Sequence, residues 1–313
     1  MLRPEKEGSQ VHLPVLYQEI ILALRPLNPG RYVDATLGAG GHARGILEAC
    51  SPHGCLLGMD VDPQALKIAL SNLATFGNRA ILLNSSYIHL TEQVHRQGWD
   101  QVNGVLIDLG VSSMQLDTPD RGFSFLRDGE LDMRFDSSQK TTAADLVNTL
   151  SEKELADIIW KYGEETRSRQ IARAIVQSRP VRTTLQLAAI IARAAGGKAT
   201  RIHPATKTFQ GLRIAVNHEL EALEKVLPQA ISMLAPQGRL AVISFHSLED
   251  RMVKQFFRRE SRDCICPPEQ PVCTCGHKAT IVEVNRHPIE AAVEESKSNP
   301  RSRSARLRVV EKL

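Results

Sequence analysis

Asp34-Ala35-Thr36-Leu37-Gly38-Ala39-Gly40-Gly41-His42 follows the apolar pair Tyr32-Val33, and this passage from strand to turn to helix decides the fold. A glycine-rich turn there lets a ligand press against bare backbone and meet the free N–H groups of the helix start. Gly38, Gly40 and Ala43 satisfy the dinucleotide pattern G-x-G-x-x-G/A, so the loop by itself fits either a nicotinamide dinucleotide or S-adenosylmethionine. Asp34 favours the second. A carboxylate at the strand end attracts a cofactor bearing an ammonium and a sulfonium, and repels a pyrophosphate.

Working outward, short apolar runs at 31–37, 55–61, 80–84 and 104–109 alternate with helical patterns such as Leu66, Ala69, Leu70 and Leu73. That alternation predicts a parallel sheet with crossover helices. Ligands of open α/β sheets lie beyond the carboxyl ends of the strands, so Asp34, Asp60 and Asp108 are expected around one crevice. Asp60 stands about 20 residues past the glycine loop, where an acid commonly binds ribose hydroxyls.

Beyond Leu109 the pattern changes, and no strand-like run recurs before Arg239. Ser151 and Glu154 form a capping box ahead of the amphipathic set Leu155, Ile158, Ile159 and Tyr162. Further helices are expected over 167–177 and 185–195. The reading is a helical insertion at 117–204 that divides a sheet domain into 1–116 and 205–313. A long helical pattern begins near Pro204, through Leu212, Val216, Leu220, Leu223 and Leu227. A turn at 235–238 then leads to a fifth strand at 239–244, and segments 280–284 and 305–310 close the sheet edge.

The chain of 313 residues is 42% hydrophobic and 24% charged, ordinary for a soluble globular protein. The start, Met1-Leu2-Arg3-Pro4-Glu5-Lys6-Glu7, has no apolar run, and no segment approaches the ~20 apolar residues of a membrane helix. A cytoplasmic location without membrane contact is expected. Residues 161–213 hold eleven Lys or Arg against Glu164 and Glu165, a surplus of +9 in a chain whose total is +4. The remainder therefore sums to −5, and positive charge is concentrated on the insertion. A second basic run comprises Lys297, Arg301, Arg303, Arg306 and Arg308. Each run by itself is consistent with a solvated face, but two of them beside a cofactor loop favour a polyanionic substrate. Arg301 and Arg303 are assigned either to RNA phosphate or to anchoring the last strand.

Cys264, Cys266, Cys273 and Cys275 form C-x-C-x6-C-x-C. Structural zinc sites usually space each pair by two to four residues, so both a zinc-stapled loop and reduced cysteines in a Pro-rich turn fit, and no metal is assigned. Cys50 and Cys55 flank the turn at 51–54 and read as structural.

Several stretches together resemble the bacterial S-adenosylmethionine-dependent methyltransferases that modify N4 of a cytidine in the decoding region of 16S ribosomal RNA. They are His12-Leu13-Pro14-Val15-Leu16, the loop from Asp34 to His42, and Asp108-Leu109-Gly110-Val111-Ser112-Ser113 running on to Phe125. Leu131-Asp132-Met133-Arg134, Tyr162-Gly163-Glu164-Glu165 and Pro204-Ala205-Thr206-Lys207-Thr208-Phe209-Gln210 continue the likeness. Ser244-Phe245-His246-Ser247-Leu248-Glu249-Asp250-Arg251 and Asn299-Pro300-Arg301-Ser302-Arg303-Ser304 complete it. The resemblance implies a class I, Rossmann-like methyltransferase domain interrupted by a helical substrate domain. It further implies that Gly40, Gly41, His42, Asp60, Tyr87, Asp108 and Gln115 line the cofactor. The implied partner is 16S ribosomal RNA within the small subunit; a homodimer is left open.

Cytosine's exocyclic amine is a poor nucleophile because its lone pair is conjugated with the ring. An acceptor must therefore draw on an N–H, and Asp108 is the first candidate. His246, at another strand end, reads equally as a substrate contact and as a structural histidine. Many amino-methyltransferases carry Asp-Pro-Pro-Tyr at the fourth strand end, whose ring stacks on the extruded base. Here Asp108-Leu109-Gly110-Val111 replaces it, leaving Phe123 or Phe125 as stacking candidates, although either also fits a core. Glu249 and Arg251 are expected to pair with one another. Competing readings are a DNA-base methyltransferase, a nicotinamide-dependent dehydrogenase and a non-catalytic ribosome-assembly factor that retains the fold.

Overall fold

The structure, a computed structural model, describes residues 14–196, 203–270 and 272–313. His12 and Leu13 of the first family stretch, and Lys198 and Arg201 of the basic run, lie outside the described residues. The strands are β1 (Arg31–Asp34), β2 (Cys55–Asp60), β3 (Ala80–Asn84), β4 (Val102–Asp108), β5 (Leu234–Ser244), β6 (Ile281–Glu283), β7 (Ile289–Glu290) and β8 (Arg306–Lys312). They form one sheet in the order β3-β2-β1-β4-β5-β8-β6, with β7 paired to β8. Pairing is parallel from β3 through β5, and β8 runs antiparallel to β5, β6 and β7. The order reverses between β1 and β4, which opens a crevice at their carboxyl ends.

The strands read as continuous apolar runs because both faces of the sheet are covered. Side chains alternate across the sheet, so Val33, Leu57, Val105, Ile107 and Val242 bury one face. Against them pack α4 (Leu90–Arg96), α11 (Glu219–Met233) and α12 (Ser247–Glu260). Tyr32, Leu56, Leu106, Ala241 and Ile243 bury the other face, beneath α1 (Tyr17–Leu24), α2 (Gly41–Ala49) and α3 (Pro63–Asn72). The expected turn at 235–238 is an irregularity within β5, whose register on β4 steps from Val102↔Leu234 to Gly104↔Arg239.

A short helix, α5 (Ser113–Asp117), precedes the insertion, which contains α6 (Ala143–Thr149), α7 (Glu152–Lys161), α8 (Ser168–Gln177), α9 (Thr184–Ala194) and α10 (Ala205–Asn217); α13 (Val293–Ser298) precedes β8. The Ser151–Glu154 capping box is present, with Glu154 N–H donating to Ser151 Oγ and Ser151 N–H to Glu154 Oε2. The helical lobe has its own core, in which Leu155, Ile159, Ile171, Ile175, Leu187 and Ile191 meet Phe209 and Leu212.

Two expectations are corrected here. The helix expected after Pro204 is broken, since His218 adopts left-handed φ/ψ (51°, 39°) between α10 and α11. Because Ala205, Phe209, Leu212 and Val216 of α10 pack into the helical core, the lobe extends through Asn217 rather than ending at 204. Apolar periodicity runs on across the break and changes its packing partner there, which is why the pattern reads as one helix.

Among the described residues, no helix is long and apolar enough to cross a membrane.

Candidate active site

The crevice at the strand ends is an open cleft of about 660 Å³. Ala35 and Thr36 after β1, Asp60 and Val61 at β2, Ser85 and Tyr87 after β3, and Asp108 to Gly110 at β4 line it. Gln115 of α5, Phe135, Glu219 and Leu223 of α11, and Glu249 of α12 complete the lining.

Asp60 is fixed by backbone donors: Gly38 N–H reaches its Oδ2 at 2.7 Å and Asp62 N–H its Oδ1 at 2.9 Å. Burial raises its pKa. Gly38 has φ +52°, a conformation glycine tolerates, and the space where a Cβ would stand is open. Asp62 takes Gln115 Nε2 at 2.9 Å and Arg121 Nη1 at 2.6 Å, while Gln115 also closes the capping box of α5 with Ser112. Gln115 and the β2 end are thereby tied together. Burial alone raises Asp62, but the Gln115 and Arg121 hydrogen bonds outweigh it and hold its carboxyl below the usual range.

Asp108 receives little from the protein. Its backbone N–H donates to Thr36 Oγ1 at 2.6 Å, yet its side-chain Oδ1 is buried without a hydrogen-bond partner. His42 Nε2 lies 3.6 Å from Asp108 Oδ2, and both ring nitrogens of the buried His42 also lack partners. Buried polar atoms without a protein partner are free to bond to a ligand or to water.

Asp34 is placed differently from Asp60 and Asp108. It is 1% exposed, lies outside the cleft lining and accepts Thr36 N–H at 3.2 Å. Burial, partly offset by His42, pushes its pKa from 3.8 up to about 7. The unfolded chain therefore releases this proton before the folded one does, so Asp34 lowers stability progressively as pH rises from about 4 to about 7. Asp34→Asn keeps the acceptor for Thr36 N–H and removes the titration. Its melting temperature relative to the natural chain is expected to climb across that window in a thermal denaturation series; a constant gap would show that Asp34 titrates normally. Gly40, Gly41 and His42 form the start of α2 behind the same turn, and they too stand outside the cleft lining.

His246 is not in the cleft lining. Its Nδ1 accepts Glu249 N–H at 3.4 Å and its Nε2 lies 3.1 Å from Glu249 Oε1, so it caps α12. Glu249 in turn accepts Phe245 N–H at 2.8 Å. Burial opposes ionisation of Glu249, but His246 prevails and its pKa falls. The candidate catalytic histidine thus acts as a cap, and its partner Glu249 faces the cleft.

Glu219 faces the cleft as well. Arg213 grips it with two bonds of 2.8 and 2.9 Å, although burial still raises its pKa. Ligand atoms of Glu219, His246 and Glu249 lie within 4.8 Å of one another, but Arg213 and the start of α12 already occupy them. Burial, with Glu219 and Glu249 nearby, raises the Tyr87 phenol far enough to keep it protonated.

Phe123 and Phe125 both belong to the helical core; Phe125 packs against His203 and Phe209. Besides Tyr87, the aromatic ring lining the cleft is Phe135, stacked on Phe123 at 5.4 Å. Arg121 donates to the carbonyls of Arg134 and Phe135, and Asn217 accepts Phe135 N–H while donating to Met133 O. This bracing of the 132–135 segment depends on side chains far away in sequence, so nothing local to Phe135 announces it.

The tail arginines are largely consumed by the fold. Arg308 pairs with Asp250 at 2.7 Å, Arg306 reaches the same carboxylate at 3.2 Å, and Arg301 meets Asp117 at 2.6 Å. Arg251 pairs with Glu164 at 3.0 Å rather than with Glu249. Ser247 Oγ also donates to Glu164, and Lys207 Nζ reaches Glu164 O at 3.0 Å. A Cβ on Gly163 would stand 2.4 Å from Lys207 O, so only glycine lets α7 end this close to α10. The Tyr162–Glu165 stretch is therefore the clamp between lobe and sheet domain.

A switch-point cleft, a glycine turn and acidic strand ends define a class I, Rossmann-like methyltransferase domain with a helical insert. The chain belongs to the MraW methylase family, which it matches over residues 9–313. It is 52% identical over 302 residues to ribosomal RNA small subunit methyltransferase H of Dehalococcoides mccartyi, covering 96% of this chain and 86% of that one. The proteins of the same name from Thermomicrobium roseum and Syntrophus aciditrophicus are 50% and 49% identical. These matches cover 97% and 99% of this chain, and 94% and 100% of theirs.

Proposed function

We propose that this protein is a cytoplasmic enzyme that transfers the methyl group of S-adenosylmethionine to the exocyclic N4 of a cytidine in 16S ribosomal RNA, with the small ribosomal subunit as substrate. The observation that carries the reading is Asp108: a strand-end carboxylate in the cleft whose buried Oδ1 has no partner. Asp60, Asp108, Glu219 and Glu249 make the lining acidic, which fits a cationic cofactor and opposes a dinucleotide's pyrophosphate. S-adenosylmethionine, when bound, supplies an electrophilic methyl group on a sulfonium leaving group. Gly38, Gly40, Gly41, His42, Asp60, Tyr87 and Gln115 are its proposed holders, with Asp60 offered to the ribose hydroxyls and Asp34 supporting the turn from below.

Asp108 accepts an N–H of the cytosine amine, releasing the nitrogen lone pair from conjugation and stabilising the charge that develops on it. Phe135 provides a ring on which an extruded base stacks. Exposed Lys161, Arg167, Arg169, Arg173, Arg182, Arg193 and Lys207 give the helical lobe a cationic surface for RNA phosphates.

Small subunits from cells lacking the protein should gain N4-methylcytidine in the decoding region when incubated with it and S-adenosylmethionine, read by nuclease digestion and mass spectrometry. Tight binding to subunits with no new methyl group would favour the assembly-factor reading instead.

A further inference from the structure

Four cysteines that the cleft does not use converge in the connection between α12 and β6. The sulfurs of Cys264, Cys266, Cys273 and Cys275 all lie within 4.8 Å of one another. Cys273 Sγ is 3.6 Å from Cys275 Sγ, and Cys275 Sγ is 3.9 Å from Cys264 Sγ. Zinc–thiolate bonds of about 2.3 Å in a tetrahedron place the sulfurs about 3.8 Å apart, between these two values. A disulfide needs about 2.05 Å. The single-residue spacing within each pair also has a geometric account: residues i and i+2 of an extended segment project to the same side, so each C-x-C offers both thiols to one centre.

The surroundings fit such a centre. Ile265 N–H points to Cys275 Sγ and Cys266 N–H to Cys264 Sγ, each at 3.4 Å, and amide donors of this kind offset thiolate charge. Between Ser261 and Thr280 none of the described residues is buried, and the apolar side chains Ile265 and Val272 are 44% and 69% exposed. An irregular stretch of this length, with no side chain in a core, gains too little from apolar burial to offset the entropy of ordering it. Small units of this kind are held by a staple. The base of the loop is closed by Thr280 N–H to Glu260 O at 2.9 Å and Ala279 N–H to Asp263 Oδ1 at 3.2 Å. His277 sits outside the sulfur cluster, with Nδ1 2.8 Å from Arg262 O.

We propose that Cys264, Cys266, Cys273 and Cys275 bind one zinc ion as four thiolates, and that this ion orders the α12–β6 connection independently of the methyl-transfer cleft. Binding releases the thiol protons to solvent and involves no redox change.

The test uses the full chain, purified under reducing conditions from zinc-supplemented cells. Elemental analysis is expected to find one zinc per chain. Four thiols should resist a disulfide-exchange reagent until a mercurial releases the metal, and cobalt substitution should give the visible bands of a tetrahedral tetrathiolate site. The double variant Cys264→Ser/Cys275→Ser should lose the metal and be cleaved within 261–280 about tenfold faster by a dilute protease, while still binding S-adenosylhomocysteine. Chain that emerges zinc-free with these four thiols freely reactive and no cobalt bands would overturn the proposal. So would disulfides within the cluster in protein alkylated at lysis.

Discussion

Asp108→Asn is expected to lower methyl transfer to small subunits by about 100- to 10,000-fold while leaving S-adenosylhomocysteine binding and the melting temperature nearly unchanged. The substitution is close to isosteric, and the Asp108 carboxyl makes no hydrogen bond that the fold depends on; only the backbone N–H is engaged, by Thr36 Oγ1. What disappears is the charged acceptor for the amine proton. Single-turnover methylation with labelled cofactor separates this loss from weakened binding, because rate and cofactor affinity are read independently. A variant that methylates at the natural rate would move the acceptor role to another carboxylate of the lining, Glu219 first.

Asp250→Ala should have the largest effect on stability, about 3–5 kcal/mol, because it strands a guanidinium inside the protein. Arg308 is 5% exposed and holds Asp250 through bonds of 2.7 and 3.4 Å, and Arg306 shares the same carboxylate. Burial by itself would raise the Asp250 pKa, but the two arginines outweigh it and hold the carboxyl below its usual range. The pair therefore stabilises at neutral pH, and its contribution is lost as acid protonates Asp250 in the folded state. Urea unfolding measures the loss as a lower midpoint at unchanged slope. Replacing both partners, Asp250→Leu with Arg308→Met, should recover most of it, since an apolar pair leaves no charge uncompensated. A small loss in the single variant would mean that Arg308 reaches solvent.

These two residues also mark where the sequence is legible. Asp108 closes the continuous apolar run of β4, buried on both faces, and strand ends collect ligands in any open α/β sheet, so its place follows from local pattern and general topology. The same holds for the limits of β3, for the Ser151–Glu154 cap and for Asp60 beside the glycine turn. Asp250 and Arg308 are different. A run of arginines looks the same whether it faces phosphate or folds back onto a carboxylate 58 residues away. For Arg308 and Arg306 it is the second, and the exposed basic surplus sits on the helical lobe.

Side-chain roles at the cleft show the same division. His246 stands at a strand end, as a catalytic base would, but its Nδ1 is taken by the N–H that begins α12. Phe125 lies beside the Asp108 stretch in sequence yet packs into the helical core, whereas Phe135 is brought to the cleft by Arg121 and Asn217. Glu219 carries no local signal. It becomes a wall of the cleft because His218 turns the chain between α10 and α11.

The sequence by itself determined the parallel sheet, the glycine turn, the acidic strand ends and the existence of a basic helical insertion, because each is written in short-range periodicity, capping chemistry or charge composition. Only the tertiary structure decided where the lobe ends, that Phe135 joins Tyr87 at the cleft, which arginines stay exposed and that four thiols meet. Those outcomes depend on pairings between distant segments, where competing partners of like chemistry are separated by burial and distance alone.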